Sequence, residues 1–167
     1  MCSSDLGNGT LALGIASVAK EVTAIDLDAT MITYATERIT RLNILNTTFV
    51  AADASSLSAY PDKHFNTAVT TMAIHQFDPE VALKVMKEMK RVASRVIIAD
   101  YNIPLPGSPS GFLAYGIEWL AGGDHFRNFR NFRAKGGLSH FTHQCGLTIR
   151  SSEIRGMRVF VVAEAEG

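Results

Sequence analysis

A pair of glycines followed at some distance by a carboxylate gives this chain the spacing of a nucleotide-binding motif. Gly7 and Gly9 precede a helix-like run and then a strand-like run that ends at Asp26, with Leu27 directly after it. Small residues let a backbone approach a ligand closely, and the N-terminus of the following helix offers free N–H groups. A carboxylate at the tip of the next strand can hold a ribose through its hydroxyls. These residues predict a nucleotide-like cofactor without saying which one.

Two later segments also place residues suited to ligand contact directly after a strand-like run. Residues 46–52 form a β-rich run that is followed by the pair Asp53-Ala54. Another such run, Phe65–Thr71, is followed by Met72 and a short helix-like segment. In open α/β sheets, ligands bind at the carboxyl ends of the strands, which is where these residues lie.

The order of these segments resembles the class I S-adenosylmethionine-dependent methyltransferases, particularly the small-molecule branch that includes the quinone-ring methylases. The resemblance extends over nearly the whole chain. It implies that Asp53 and Ala54 lie at the adenine and that the end of the fourth strand passes the methionine part of the cofactor. The cofactor-binding residues implied in this way are Gly7, Gly9, Asp26, Leu27, Asp53, Ala54, Thr71 and Met72.

The start of the chain departs from the family pattern. The pattern acid-x-Gly-x-Gly-x-Gly fits best with Gly7 and Gly9 as its second and third glycines, which places Asp26 seventeen positions after the last one. Residues 1–6 then read as a translated sequencing adapter. We therefore expect a single methyltransferase domain over residues 1–167, with residues 1–6 non-native and the N-terminal part of the domain absent, including most of its first strand. An intact start codon at Met1 in the genome, with no open frame before it, would contradict this expectation.

Composition limits the class of protein and its location. A chain of 167 residues suits one domain, and 47% apolar residues are enough for one core. Its 16 basic and 16 acidic residues balance, so no net field recruits nucleic acid or membrane. Cys2 and Cys145 lie far apart and give no disulfide framework, which fits a reducing compartment. We expect a cytoplasmic protein that acts on a small molecule, binds no nucleic acid and does not insert stably into a membrane.

Strand-like and helix-like segments alternate along the chain, which predicts a parallel sheet covered on both faces. Residues 30–42 and 79–92 carry helical periodicity, and Asp28 and Asp78 are suited to cap these two helices. The fold class predicted is α/β, with a Rossmann-like, doubly wound and mostly parallel sheet.

The second half of the chain is predicted to complete this fold with two strands. Prolines and glycines over residues 104–111 predict a connecting loop before an apolar helix at residues 112–120. The runs at residues 147–154 and 158–165 predict the last two strands. In the family the last strand is inserted antiparallel, so an antiparallel C-terminal hairpin strand is expected here.

Several candidate ligand-binding residues also have a structural interpretation. Asp28 can replace Asp26 at the ribose, although its position more naturally caps the following helix. Asp53 can cap a turn with Ser55 and Ser56 instead of contacting adenine. His75 can be a packed histidine. The sequence alone leaves these alternatives open.

Two clusters invite other functional readings. His140, His143 and Cys145 have helical spacing and donor atoms that suit a metal, but no further ligand accompanies them, so no metal is predicted. Residues 125–133 interleave aromatic and basic side chains, which can stack bases or hold phosphates. Because the chain is otherwise neutral, we predict a helix that buries its phenylalanines.

The interleaved arginines of that helix, and the apolar helix before it, bear on the acceptor. Arg127, Arg130 and Arg133 are expected to face solvent or an anionic substrate. Residues 112–120 can touch a membrane surface, form a lid over a lipophilic substrate, or pack as ordinary core. The acceptor is therefore expected to be a small molecule, anionic or lipophilic.

Methyl transfer from a sulfonium requires mainly that the acceptor be aligned and water be excluded. A base is needed only if the acceptor loses a proton as it attacks. His75, Asp100, Tyr101 and Tyr115 lie near the carboxyl ends of strands, but none stands out, and no catalytic residue is assigned. The alternatives are a nicotinamide-dinucleotide-dependent oxidoreductase and an inactive truncated cofactor-binding module, and the oligomeric state stays open.

Overall fold

The computed structural model describes residues 9–167 with their side chains and residues 2–4 by their backbone. The strands are β1 (Cys2–Ser4), β2 (Val22–Asp26), β3 (Thr47–Ala51), β4 (Phe65–Thr71), β5 (Ala93–Tyr101), β6 (Thr148–Arg155) and β7 (Phe160–Glu166). The helices are α1 (Thr10–Ala16), α2 (Ala29–Arg41), α3 (Pro79–Val92), α4 (Pro109–Ala121), α5 (Gly123–Lys135) and α6 (Leu138–Gln144), with a 3₁₀ turn at Ile74–Gln76.

All these strands form one sheet in the order β3-β2-β1-β4-β5-β7-β6. Strands β1 to β5 pair in parallel, and β7 runs antiparallel between β5 and β6. This topology confirms the predicted mostly parallel sheet with an antiparallel hairpin strand. Residues 2–4, which the sequence analysis expects to be non-native, lie as the short strand β1 between β2 and β4.

The predicted helix caps are present at α2 and α3. The Asp28 carboxylate accepts a hydrogen bond from the N–H of Thr30 at 2.8 Å, and the Asp78 carboxylate accepts from the N–H of Glu80 at 3.0 Å. Each bond satisfies one of the N–H groups that a helix N-terminus leaves without an intrahelical partner. The two helices therefore start at the residues that local chemistry favours.

The predicted loop before α4 is too long. The helix begins at Pro109, not at Phe112, because proline is favourable in the first turn, where its missing N–H costs nothing. Gly111 lies in this first turn, and a Cβ there would come within 1.9 Å of the carbonyl oxygen of Pro106. Glycine at this position thus lets the preceding loop pack directly on the helix, which sequence reasoning interpreted as a break.

The main core lies between the sheet and helices α3, α5 and α6. Phe129 and Phe132 of α5 are fully buried together with Phe141 of α6, which confirms that α5 turns its phenylalanines inward. Phe126, at the start of the same face, is half-buried. None of the helices within the described residues has the length and apolarity that crossing a membrane requires.

Candidate active site

The carboxyl ends of β2, β3 and β4 bring predicted cofactor residues to one edge of the sheet. The N–H of Ala52 donates to the carbonyl of Asp26 at 2.9 Å, which ties the end of β3 to the end of β2. A cavity of ≈ 410 Å³ lies at this edge. The residues around it include Asp26, Leu27, Asp53, Ala54, Gln76, Phe77 and Val81. Four predicted cofactor residues therefore share one cavity.

Asp26 and Asp28 have different environments, although they are separated by one residue. Asp26 is half-buried at the cavity, and its Oδ1 accepts the N–H of Asp28 at 2.9 Å. The carboxylate of Asp28 is exposed and accepts the N–H of Thr30, and this hydrogen bonding lowers the pKa of Asp28. Asp28 therefore caps α2, and Asp26 is the carboxylate that faces the cavity.

Asp53 both closes a turn and borders the cavity. Its Oδ1 accepts the N–H of Ser55 at 2.8 Å, so one of its two carboxylate oxygens caps the turn. The loop that follows is held by α3, where the Glu88 carboxylate accepts the N–H of Leu57 at 2.7 Å and Arg91 donates to the carbonyl of Leu57 at 2.9 Å. Helix α3 thus positions the loop that carries Asp53.

Apart from Ser55 and Gln76, the rest of the cavity lining is apolar. The Leu27 side chain is 76% exposed and Val81 of α3 is 37% exposed, although both belong to types that proteins usually bury. Phe77, directly after the 3₁₀ turn, completes this wall. Sequence reasoning missed Phe77 and Val81 because the fold brings them to the cavity from a turn and from the start of α3. The sequence feature that could have indicated this wall is Phe77, an aromatic residue a few positions beyond the end of β4.

Other predicted cofactor residues lie outside the lining of this cavity. Gly9 has φ 78° and is the N-cap residue of α1, and a Cβ there would lie 3.3 Å from the Cβ of Ala35, so both its conformation and its packing favour glycine. Thr71 is the last residue of β4 and Met72 follows it, and neither borders the cavity. Met72 has φ 53°, an uncommon conformation for a residue with a side chain. Gly7 lies outside the described residues.

A buried polar cluster lies beyond the ends of β4 and β5. The Nδ1 of His75 is 2.6 Å from Oδ1 of Asp100, and both residues are almost fully buried. The Tyr101 hydroxyl donates to Oε1 of Glu118 at 2.7 Å. The Nε2 of His125 lies 2.5 Å from Oε2 of the same carboxylate. Glu118 therefore joins α5 to the end of β5 through hydrogen bonds.

Helix α4 contributes Glu118 to this cluster, and helix α5 contributes His125. The side-chain amide of Asn128 on α5 donates to the carbonyl of Gln76 at 2.8 Å, which fixes α5 against the 3₁₀ turn. Burial, and then the hydrogen bond to Glu118, raises the pKa of Tyr101, so the phenol remains a neutral donor. Sequence reasoning missed Glu118 and His125. The available signal was that Glu118 is the one charged residue in the otherwise apolar α4.

The histidines and the cysteine of residues 140–145 lie in different environments. Cys145 is buried, with its Sγ 3.6 Å from the carbonyl of Leu83, and burial raises the pKa of its thiol. His143 is exposed. Across residues 9–167, the group of three metal-ligand side chains that does come together is His75, Glu118 and His125.

A second cleft follows the basic face of α5. It has a volume of ≈ 540 Å³ and is bordered by Arg127, Arg130 and Arg133, with Ile103 and Pro104 opposite. Arg127 and Arg130 are exposed, as expected for the polar face of this helix. The guanidinium of Arg133 lies 4.9 Å from the ring centroid of Tyr115 on α4, a cation–π distance that joins the two helices.

Comparison with known proteins identifies the class. The family model of the methyltransferase domain matches residues 6–95, more than half of the chain. The chain therefore belongs to the methyltransferase domain family. This membership confirms the predicted methyltransferase with S-adenosylmethionine as its cofactor and decides against the dinucleotide-dependent oxidoreductase.

Solved structures share the fold at low sequence identity. A protein from Pyrococcus horikoshii has a TM-score of 0.74 at 18% identity, over 99% of this chain and 80% of that one. A SAM-dependent methyltransferase from Aquifex aeolicus has a TM-score of 0.68 at 18% identity, over 98% and 79% of the two chains. Magnesium protoporphyrin IX methyltransferase from Synechocystis PCC 6803, with bound SAH, has a TM-score of 0.67 at 18% identity, over 99% and 72%. No curated protein sequence matches this chain.

Proposed function

We propose that this protein transfers the methyl group of S-adenosylmethionine to a small-molecule acceptor by in-line displacement. The observation that carries the proposal is the cavity at the carboxyl edge of the sheet, which two carboxylates and an exposed apolar wall surround in a methyltransferase domain. The same edge also holds the helices that would cover an acceptor.

The residues around the cavity fit an adenosine group. A half-buried carboxylate at Asp26 can accept hydrogen bonds from ribose hydroxyls, and Asp53 can accept one from an exocyclic amine. Leu27, Phe77 and Val81 offer apolar surface that a planar ring would cover. Covering such surface is favourable by about 25 cal/mol per Å². Asp26 and Leu27 would therefore hold the sugar, and Asp53 and Ala54 the base.

When bound, the cofactor supplies a methyl group that its sulfonium has already made electrophilic. The task left to the chain is to hold the acceptor in line and to exclude water from the reaction. Helices α4 and α5 contact each other, α5 packs on the 3₁₀ turn, and Glu118 of α4 approaches His75 of that turn, so the two helices can cover the acceptor. Of these elements, α5 is fixed to the turn by the bond from Asn128 to Gln76.

The arginine-lined cleft is evidence that the acceptor carries an anionic group. Its guanidinium groups lie along one face of α5, and arginine binds carboxylate and phosphate through paired N–H donors. Helix α4 supports a lipophilic acceptor body, because large apolar side chains remain exposed on it. These are Phe112, Leu113, Ile117, Trp119 and Leu120. An amphipathic small molecule with an acidic group satisfies both features. The cytoplasm remains the location that we infer from the cysteine content.

Radiolabel transfer tests the proposed function. The protein is incubated with S-adenosylmethionine labelled in its methyl group and with a cell extract separated into small-molecule, protein and nucleic-acid fractions. We expect label in a small-molecule product with the wild type and with Asp28→Ala, and strong loss of label with Asp26→Ala. Label that enters only protein or nucleic acid would contradict the small-molecule acceptor. No transfer into any fraction, in protein shown to bind the cofactor, would contradict catalysis by this chain.

A further inference from the structure

We propose that His75, Glu118 and His125 form a binding site for a divalent transition-metal ion of the zinc type. Their ligand atoms, two imidazole nitrogens and a carboxylate oxygen, all lie within 4.8 Å of one another. Two histidines and one carboxylate form a common set of three protein ligands in metal sites that keep a further position open. The three residues are far apart in the sequence, and the fold brings them together.

His75 is held as a metal-binding histidine is usually held. Asp100, which is fully buried, accepts the N–H of Tyr101 at 2.7 Å and lies 2.6 Å from Nδ1 of His75. A hydrogen bond from Nδ1 to a carboxylate leaves the lone pair on Nε2, as is typical of metal-ligating histidines. The Nε2 atom is buried and has no hydrogen-bond partner within the described residues. A metal ion would satisfy it.

Glu118 presents its carboxylate between the two imidazoles. Its Oε1 lies 3.6 Å from Nε2 of His75, and its Oε2 lies 2.5 Å from Nε2 of His125. The Tyr101 hydroxyl donates to Oε1, so the carboxylate is oriented by a residue that is not a ligand. Asp100 and Tyr101 thus supply the outer partners that fix ligands around a metal.

To bind an ion, the site must replace the contact between His125 and Glu118, whose ligand atoms lie 2.5 Å apart, with bonds to the metal. Bonds of about 2.0–2.2 Å place the ligand atoms of a tetrahedral zinc site roughly 3.3 Å apart. His75 and Glu118 are close to that separation already, at 3.6 Å. The side chain of His125 is 32% exposed and can adjust, and its side of the cluster is where solvent or a fourth ligand can enter.

A proton is the competing explanation for the same contacts. If His75 carried a second proton, its imidazolium would lie between the carboxylates of Asp100 and Glu118 and no metal would be needed. The two explanations differ in a measurable way, because only the metal site takes up a stoichiometric ion and holds it through His125.

A metal here would lie beside the cofactor cavity, since Gln76, the neighbour of His75, borders that cavity. A zinc-type ion favours the anionic form of a bound hydroxyl or thiol, which is the form that attacks a methyl group readily. This role rests on the proposed function, whereas metal binding itself does not.

Metal uptake tests the proposal with the full chain. The protein is freed of metal by dialysis against a chelator and titrated with Zn²⁺ alone in a calorimeter, and its metal content is then measured. We expect one ion per chain and a loss of affinity of at least about tenfold in His125→Ala. His143→Ala, which removes an exposed histidine of α6, should leave the affinity unchanged. Absence of uptake by the wild type, or equal losses in the two variants, would overturn the proposal.

Cobalt substitution gives a second readout that does not depend on a variant folding. Co²⁺ bound by two imidazoles and a carboxylate should give visible absorption bands that titrate to one equivalent and disappear on addition of Zn²⁺. Binding of S-adenosylhomocysteine is measured on the same samples. No cobalt bands in protein that binds S-adenosylhomocysteine would contradict the metal site alone. Metal uptake without S-adenosylhomocysteine binding would support the metal site and speak against the proposed function.

Discussion

At the scale of single residues, Asp26 at the end of β2 and Asp28 two residues later are predicted to have separable tasks. Asp26→Ala should weaken S-adenosylhomocysteine binding by about 1.5–3 kcal/mol, the range for a hydrogen bond to a charged group. Asp28→Ala is the matched control, because it removes the cap of α2 but keeps the N–H that donates to Asp26. It should lower the melting temperature and leave the affinity nearly unchanged. Calorimetric titration and thermal melting of both variants check this, and equal losses of affinity would show that Asp26 is not the ribose ligand.

Asp53 is predicted to contact adenine as well as to close its turn. Asp53→Ala should lower the affinity for S-adenosylhomocysteine, and Asp53→Asn should lower it less, because an amide oxygen can still accept the N–H of Ser55. Circular dichroism of both variants should match the wild type. If Asp53→Ala unfolds the protein, turn closure is the main role of this residue.

The candidate site could be predicted from the sequence wherever a residue follows directly from the end of a strand. Asp26 and Asp53 can be predicted in this way, because the carboxyl ends of parallel strands lie at the same edge of the sheet. The isolated charge of Glu118 marks it in the sequence of α4, but its meeting with His125 could not be predicted, because it depends on the packing of α4 against α5, which no local spacing encodes. Tertiary contacts of this kind are set by the whole core and not by the residues next to a motif.

At the scale of elements, helix α3 holds the loop that carries Asp53 through an ion pair. Hydrogen bonds from Arg91, and one from the N–H of Leu57, lower the pKa of Glu88 from its usual 4.5. Because the folded-state pKa lies below the unfolded one, this contribution to stability is present above about pH 4.5 and is lost as pH falls through the lowered pKa. Glu88→Gln should therefore be less stable than the wild type at neutral pH, and the difference should shrink in acid.

Thermal melting of the wild type and Glu88→Gln from neutral pH to below the lowered pKa measures this difference. Lys84→Gln, on the same helix, serves as a control whose effect should not change over the acid range. A difference between the wild type and Glu88→Gln that stays constant with pH would show that the charge of Glu88 does not stabilise the loop.

The basic face of α5 is predicted to serve the acceptor and not nucleic acid. Replacing Arg127 and Arg130 together with Gln should reduce turnover of the true acceptor and leave cofactor affinity nearly unchanged. Arg150 and Arg155 on β6 are exposed and offer a matched double substitution away from the cleft. Filter binding of RNA at low and high salt adds the opposing test, because nucleic-acid binding falls steeply with salt. Tight, salt-sensitive binding abolished by Arg127→Gln with Arg130→Gln would contradict the small-molecule acceptor.

At the scale of the whole molecule, the sequence predicts more of the fold than of the candidate site. The parallel strands are short apolar runs that alternate with helices, and such alternation allows few topologies. The antiparallel position of β7 was expected from the family pattern. The predicted start of α4 at Phe112 was wrong by three residues, because a proline and a glycine that usually break a chain here begin the helix at Pro109 and let it pack on Pro106.

The central claim is that the edge of the sheet bordered by Asp26 and Asp53 binds the methyl donor. Calorimetric titration of the wild-type chain with S-adenosylhomocysteine, and separately with NAD⁺, tests it most directly. We predict a saturable heat with S-adenosylhomocysteine at one site per chain and no binding of NAD⁺. Binding of NAD⁺ without S-adenosylhomocysteine, or no binding of S-adenosylhomocysteine by folded protein, would contradict the account.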